Sequence, residues 1–334
     1  MMRSRSGDRR GRLRAQVING VTRREMLLAA GGAVAGAAGL TARPGQKRDI
    51  IDAHVHVWTS DIERYPLAPG FRREHFWFPS YTIEELLKVS EPLGVRRINL
   101  VQMTWYGLDH SYILDIIARD PKRFVGTGIV PGVVDVSLPG PDETMVALSK
   151  RGVYAFRVRT RLTRPPLGDG PQWLDHPGYE KMFAAGAKHN LALSFLMGPA
   201  DLPEIDRMCA RFPDTPVILD HLASIAAKGP PPENEIQNLC RMARHKRVML
   251  KVGAFYALGQ RKPPYLDMLP LVRRVVEAFG PERCMWESDA PMQDKPPHRY
   301  EDSLALIRDH ADFLTDSDKD QILVRTAERF FFQR

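Results

Sequence analysis

The sequence predicts an α/β protein with a (β/α)8 barrel, or TIM barrel, and three observations lead to that prediction. Eight short apolar runs of β-strand character follow residue 48. Segments with helical amphipathic spacing separate them, so that one β–α unit recurs roughly every 30–40 residues. No G-x-G-x-x-G follows the first run, which disfavours the alternative architecture, a doubly wound sheet.

The elements are predicted in chain order from these patterns. The predicted strands are 49–57, 95–103, 123–130, 153–159, 191–197, 216–222, 247–253 and 283–289. The predicted helices are 82–93, 109–119, 141–151, 178–189, 201–211, 233–244, 267–279 and 301–313. A stretch near 318–332 predicts an extra C-terminal helix outside the barrel. Since eight such units close a parallel sheet on itself, residues 49–334 are predicted to form one domain.

Residues 1–42 differ in composition from the rest of the chain. They hold eight arginines against one aspartate and one glutamate, and so carry +6 of the formal net charge of +8. A nucleic-acid-binding protein keeps its basic surface within the folded domain, so we predict no nucleic-acid partner. The three cysteines show no C-x-x-C spacing and are interpreted as small buried residues.

The leader has the layout of an export signal. A basic start precedes a Gly- and Ala-rich apolar run over 26–42, which is too weakly hydrophobic for a stable membrane span. Arg23 and Arg24, directly before this run, resemble the twin-arginine motif. The sequence therefore predicts a twin-arginine-type signal peptide, the twin-arginine export machinery as a partner, transient membrane contact, and a periplasmic or secreted protein. An uncleaved anchor is the alternative.

Two histidines lie at the end of the first predicted strand. His54 and His56 are two residues apart, so they share one strand face and point into the barrel if Val55 faces the helices. Two imidazoles on one strand suit a divalent metal. They predict the start of an active site at the carboxyl end of the barrel, where barrel enzymes build their sites.

Two other strand ends are predicted to reach the same mouth. Asp289 ends the eighth strand, beside the first strand, and is predicted to act as metal ligand, general base or both; a helix N-cap is the structural alternative. His221 ends the sixth strand and would bind metal or polarise a substrate carbonyl. Alternation predicts that Asp220 faces the other way, towards a neighbouring helix.

Charged residues on three strands are predicted to face inward. Arg157 and Arg159 share a face of the fourth strand, and their partners are either protein carboxylates or an acidic substrate. Glu287 shares a face with Asp289, where a lone carboxylate needs a partner. We predict a buried ion pair between Glu287 and Lys251 of the seventh strand, with an arginine as second choice.

Two segments are longer than connections need to be. They are 58–80, rich in aromatic residues, and 160–176, and both follow predicted strands. Because loops after strands lie at the carboxyl end of a barrel, we predict that both cover a substrate. Variable surface loops are the alternative.

Several motifs occur in a characteristic order along residues 49–330. They are D-x-H-x-H at Asp52 to His56, V-I-L-D-H-L-A around His221, M-W-E-S-D-A-P around Asp289, and Val101-Gln102, Tyr106-Gly107, Asp109, Leu114-Asp115 and Pro121-Lys122-Arg123-Phe124. Together they resemble the amidohydrolase-2 family of the amidohydrolase superfamily, in particular its branch with sugar-acid lactonases and pyrone-dicarboxylate lactonase.

This resemblance implies a hydrolase of a lactone, or of a related cyclic ester or amide of a small acidic molecule, and the leader predicts that the enzyme is exported. The implied metal ligands are His54, His56 and Asp289, for one divalent ion with zinc as first choice; some lactonases of this branch work without metal. The implied catalytic residues are Asp289 as general base, His221 and Arg157. The implied substrate-binding residues are Arg157, Arg159, Gln102 and Tyr106.

The chain departs from the family pattern at two places. Its fifth strand has no histidine, although many metal-binding members carry one there, and Glu287 stands where glycine is usual. Two alternative functions stay open: non-oxidative decarboxylation of an aromatic or unsaturated acid in the same pocket, and a non-catalytic secreted binding barrel.

Overall fold

A computed structural model describes residues 48–130, 139–159 and 172–334. The leader, residues 160–171 of the second long segment and the side chain of Arg159 lie outside the described residues, so what the sequence predicts for them stays a prediction. Within the described ranges, no helix is both long and apolar enough to cross a membrane.

Eight parallel strands form one sheet whose order follows the chain. They are β1 (Ile50–Val55), β2 (Val95–Val101), β3 (Phe124–Gly128), β4 (Val153–Arg159), β5 (Ala192–Leu196), β6 (Val217–Leu219), β7 (Val248–Gly253) and β8 (Cys284–Glu287). The first and last strands meet, because the Asp289 amide donates to the His54 carbonyl (2.9 Å) and the His56 amide to the Ala290 carbonyl (2.8 Å). The predicted (β/α)8 barrel is confirmed.

A helix follows each strand, close to its predicted position. The helices are α1 (Ile83–Ser90), α2 (Ser111–Arg119), α3 (Pro141–Ser149), α4 (Pro177–His189), α5 (Leu202–Arg211), α6 (Glu233–Arg241), α7 (Leu269–Phe279) and α8 (Tyr300–Arg308). In α7, Val272, Val275, Val276 and Phe279 recur at the three-to-four spacing of one helix face, and all four are buried. That apolar face turns towards the sheet, which leaves the charged face to solvent.

The predicted C-terminal helix is present as α9 (Asp316–Asp320) followed by π-helical turns at Gln321–Arg325 and Glu328–Phe332. Thr315 caps its start by accepting a hydrogen bond from the Asp318 amide, while Asp318 bonds back to the Thr315 amide. The first π-helical turn packs against β1 and β8. The extra helix therefore covers the sheet at the place where the barrel closes.

Candidate active site

Three of the predicted ligands meet at the carboxyl end of the barrel. The Nε2 atoms of His54 and His56 lie 3.2 Å apart. Asp289 Oδ1 lies 3.7 Å from the first and 3.4 Å from the second. The three side chains are buried, because the histidines face inward from β1 and Asp289 arrives from the end of the neighbouring β8.

This arrangement fits a divalent cation. Tetrahedral zinc with bonds of about 2.0–2.2 Å places its ligand atoms roughly 3.3–3.6 Å apart, close to the distances found here. Asp289 Oδ1 is buried and accepts no hydrogen bond. His56 Nδ1 lies 2.9 Å from the Val101 carbonyl, which places the proton on Nδ1 and leaves the Nε2 lone pair for a ligand. His54, His56 and Asp289 thus form a possible metal site.

Glu287 lies inside the barrel, as predicted, but with a different partner. Its Oε1 lies 2.7 Å from His221 Nδ1 and accepts the His221 amide at 3.0 Å, while its Oε2 is 3.2 Å from His54 Nδ1. The predicted Glu287–Lys251 ion pair is wrong. The register pairs Glu287 with Gly253 and places Lys251 opposite Met285, two residues deeper in the barrel.

Lys251 instead pairs with Asp220, which corrects a second prediction. Its Nζ lies 3.0 Å from Asp220 Oδ1 and 3.0 Å from His54 Nδ1, and Ser194 Oγ donates to the same Asp220 oxygen at 2.8 Å. Asp220 therefore faces the barrel interior and not a helix. Asp220 keeps extended backbone, and its amide donates to the Phe195 carbonyl (3.0 Å), so it continues the alternation of β6. The prediction was wrong because it counted the alternation from His221, which lies in the turn beyond the strand.

The turn after β6 explains why two consecutive residues both face the site. His221 has a φ of 54°, and the next three residues keep φ between 52° and 54°, in the left-handed region that side chains rarely adopt. This backbone brings His221 Nε2 to 3.8 Å from Asp289 Oδ2. Asp289 itself has a φ of 61°. Both site residues thus occupy strained backbone, which is typical of functional positions.

Burial and the neighbouring charges set the protonation states. Burial lowers the pKa of His56 to about 4, so it is neutral near pH 7. Burial also disfavours the charged form of His221, but Glu287 and Asp289 outweigh it and raise the His221 pKa to about 9. Burial of Asp289 is outweighed by His221, His56 and His54, which hold its pKa well below the usual range. An ionised carboxylate thus faces a protonated imidazole.

Arg157 completes this cluster from β4. Its Nη1 lies 3.3 Å from His56 Nε2 and its Nη2 lies 3.4 Å from His221 Nε2. Its Nε is 3.9 Å from Asp220 Oδ2. A guanidinium beside a protonated His221 forms a pair of cations, which favours an oxygen with negative charge between them.

The other two predicted substrate-binding residues differ in their placement. Gln102 lines the cavity; its Nε2 donates to the carbonyls of Asp109 (2.6 Å) and Gly107 (3.2 Å), and its Oε1 is buried without a hydrogen bond. Tyr106 is buried, and its hydroxyl accepts from the Thr59 amide at 3.2 Å. The structure does not bring Tyr106 into the cavity, since the hydroxyl holds the start of the 58–80 segment.

A cavity of about 300 Å³ opens above the cluster. Its lining residues are His56, Trp77, Gln102, Met103, Thr104, Arg157, Leu196, His221, Ser224, Ala227, Ala254, Tyr256, Ala257, Leu258, Asp289 and Met292. Trp77 belongs to the 58–80 segment, so part of that segment borders the cavity as predicted for a loop at this end of the barrel.

Sequence reasoning missed Tyr256, which touches the centre of the site. Its hydroxyl donates to Asp289 Oδ2 at 2.7 Å and so leaves Oδ1 facing the two histidines. Tyr256 lies in a short turn, Phe255–Ala257, directly after β7. Its position just beyond a predicted strand places it at the carboxyl end of the barrel, but a single tyrosine that belongs to no motif does not indicate a functional role.

Comparison with known proteins gives a family and several relatives. Residues 51–333 match the model of the Amidohydrolase family. An L-fucono-1,5-lactonase from Burkholderia ambifaria is 27% identical over 259 residues, covering 74% of this chain and 82% of that protein. A 4-sulfomuconolactone hydrolase from Rhizobium radiobacter is 26% identical over 282 residues, covering 84% and 89%. A 2-pyrone-4,6-dicarboxylate hydrolase from Comamonas testosteroni is 28% identical over 268 residues, covering 77% and 81%.

Solved structures share the barrel fold. A probable 2-pyrone-4,6-dicarboxylic acid hydrolase from Acinetobacter baumannii, with citric acid bound, has a TM-score of 0.69 at 19% identity and covers 85% of this chain and 99% of its own. An amidohydrolase from Burkholderia multivorans with bound zinc has a TM-score of 0.63 at 18% identity, covering 84% and 98%. The family model matches nearly the whole described barrel, and the chain therefore belongs to the Amidohydrolase family.

Proposed function

We propose that this protein hydrolyses a lactone of a small acidic molecule, with Asp289 as general base. The observation that carries the proposal is the meeting of Asp289, Arg157 and His221 at the floor of one cavity, with His221 Nε2 3.8 Å from Asp289 Oδ2 and 3.4 Å from Arg157 Nη2. The relatives named for fuconolactone and sulfomuconolactone support the choice of a cyclic ester.

The chain's residues divide the reaction between them. Asp289 takes a proton from water as the water oxygen bonds to the lactone carbonyl carbon. Arg157 and His221 donate hydrogen bonds to the carbonyl oxygen, which gains negative charge as the tetrahedral centre forms. The ring C–O bond then breaks, and the proton on Asp289 passes to the leaving alkoxide. The product is the open hydroxy acid.

We propose that His54 Nε2, His56 Nε2 and Asp289 Oδ1 hold one divalent cation, with zinc as first choice. The zinc bound to the similar Burkholderia multivorans protein supports this choice. When bound, the cation would supply Lewis acidity at its open coordination position. Tyr256, through its bond to Oδ2, orients Asp289 so that one oxygen serves the metal and the other faces the cavity.

The test measures acid release from a panel of lactones at neutral pH. Asp289→Asn should lower kcat by about 100-fold or more, since a general base contributes roughly 10²–10⁴-fold. Asp309→Asn, which changes an exposed aspartate paired with Arg308, is the matched control and should keep full activity. Wild-type kcat in Asp289→Asn would overturn the assignment of the base. Loss of CO2 from an aromatic acid, without lactone hydrolysis, would favour the decarboxylase.

A further inference from the structure

The cavity has an apolar wall on the side of β5, β6 and β7. Leu196 ends β5, Ala227 follows β6, and Ala254 and Leu258 follow β7. These strands are neighbours in the barrel, so the apolar groups form one continuous surface. Ala254 and Leu258 are buried, which gives this wall a fixed shape.

A second apolar wall lies on the side of β1 and β2. In an eight-stranded barrel whose order follows the chain, β2 is opposite β6, so this wall faces the first one. It consists of Met103, which follows β2, and Trp77. The Trp77 ring meets those of Trp58 (6.1 Å between centroids) and Trp105 (5.4 Å) edge to face. Two packed rings thus hold Trp77 in place.

Trp77 nevertheless leaves half of its surface uncovered. It is 51% exposed, and the other exposed large apolar side chains of the described residues are Phe71, Leu108 and Leu266. Of these four, Trp77 alone lines the cavity. An immobilised indole at the mouth of a pocket offers a flat surface for a ring of the substrate to stack on.

The polar groups that act on the ester lie below these walls. Arg157, His221 and Asp289 form the floor, so a lactone carbonyl placed there directs the rest of the substrate between the two walls. A polyhydroxylated ring in that position would turn hydroxyl groups on one face towards Leu196 and Leu258, which offer no hydrogen-bond partner, whereas the polar groups of the lining, Gln102, Thr104 and Ser224, lie outside these two walls. A flat apolar ring would bury its two faces instead.

We propose that the lactone carries a flat apolar ring, such as a fused aromatic ring, and that Trp77 stacks on it opposite Leu196 and Leu258. This substrate class rests on the proposed lactone hydrolysis at Asp289. The cavity of about 300 Å³ lies at the small end of ligand pockets, which suits one such ring fused to the lactone.

The test compares dihydrocoumarin, an aryl-fused lactone, with glucono-1,5-lactone. Wild-type protein should favour dihydrocoumarin at least tenfold in kcat/KM. Trp77→Ala should raise KM for dihydrocoumarin about fivefold to tenfold, from lost stacking, and Trp77→Phe should restore most of the affinity. Turnover of glucono-1,5-lactone should change less than twofold. Phe71→Ala is the matched control, because Phe71 is an exposed aromatic residue of the same segment outside the cavity lining.

Equal or better turnover of glucono-1,5-lactone, or an equal effect of Trp77→Ala on both lactones, would overturn the inference while leaving lactone hydrolysis in place. Hydrolysis of no lactone in the panel would count against the proposed function. Calorimetric titration with 3,4-dihydroquinolin-2-one, the amide analogue of dihydrocoumarin, then tests ring binding between the two walls without hydrolysis. Binding that Trp77→Ala weakens fivefold or more supports it, and absence of binding to the wild type overturns it.

Discussion

At the scale of single residues, the buried ammonium of Lys251 is the group that most needs an oppositely charged partner. It is fully buried, and it contacts Asp220 and His54 at 3.0 Å each. Burial alone would raise the pKa of Asp220, but Lys251 and His54 outweigh it and hold that pKa well below the usual range. The pair supports the site from beneath, because the same His54 presents Nε2 to the possible metal position.

Removal of one charge from this pair should cost more than removal of both. We expect Lys251→Met to lower the free energy of unfolding by about 3–5 kcal/mol, because Asp220 then keeps a buried charge without its cation. The double variant, Lys251→Met with Asp220→Asn, should lose less free energy of unfolding than Lys251→Met alone. Urea unfolding at pH 7 measures both. The control Arg308→Met breaks an exposed pair and should cost about 0–1 kcal/mol.

A double variant that is no more stable than Lys251→Met would show that the two charges are not coupled. If Lys251→Met lowers the free energy of unfolding by less than about 1 kcal/mol, the Lys251 ammonium contacts water, which contradicts its full burial.

At the scale of elements, the contact between β7 and β8 depends on a residue without a side chain. Gly253 lies opposite Glu287 in the sheet, and a Cβ atom at Gly253 would overlap the carbonyl oxygen and Cγ of Glu287. The glycine thus lets Glu287 turn inward to His221, and it fixes the end of the strand that leads to Asp289.

Gly253→Ala should therefore displace the end of β8. Overpacking of this kind costs about 1–3 kcal/mol, and we expect kcat to fall as well, because Asp289 follows Glu287 by two residues. Gly198→Ala is the matched control, since a Cβ there meets no atom within 4 Å. Thermal unfolding and lactone assays of both variants provide the measurement. Unchanged activity in Gly253→Ala would mean that Asp289 does not depend on this contact.

The elements also show what could be predicted from sequence and where the prediction stopped. All eight strands were found because each is a short apolar run between amphipathic helices. Alternation placed Glu287 correctly because it lies within β8. It failed for Asp220 because it was counted from His221, where the backbone has already entered left-handed turns, whereas Asp220 is still extended. Strand ends depend on such local dihedral angles, which an apolar pattern does not encode.

Partner choice inside the barrel was harder to predict for a related reason. The predicted Glu287–Lys251 pair required both residues at one depth, and the register shifts them by two residues. Tyr256 was missed because it carries no motif and acts through one hydrogen bond to Asp289. Motifs therefore identified the residues on the floor of the cavity, whereas their supporting contacts needed the structure.

At the scale of the whole molecule, barrel closure creates the site. His54 and His56 come from the first strand and Asp289 from the end of the last, more than 230 positions away in the chain. The hydrogen bonds of His54 and His56 to Asp289 and Ala290 join these ends. We propose that this junction holds one catalytic metal ion, with Asp289 both as a ligand and as the base.

The metal content of the purified protein, measured by mass spectrometry together with lactone turnover, tests that claim most directly. We expect one divalent ion per chain in the wild type, less than a tenth of that in His56→Ala, and activity that a chelator removes and one equivalent of zinc restores. Metal binding that persists unchanged in His56→Ala would place the ion elsewhere. Full lactone turnover by wild-type protein verified to be free of metal would contradict the account.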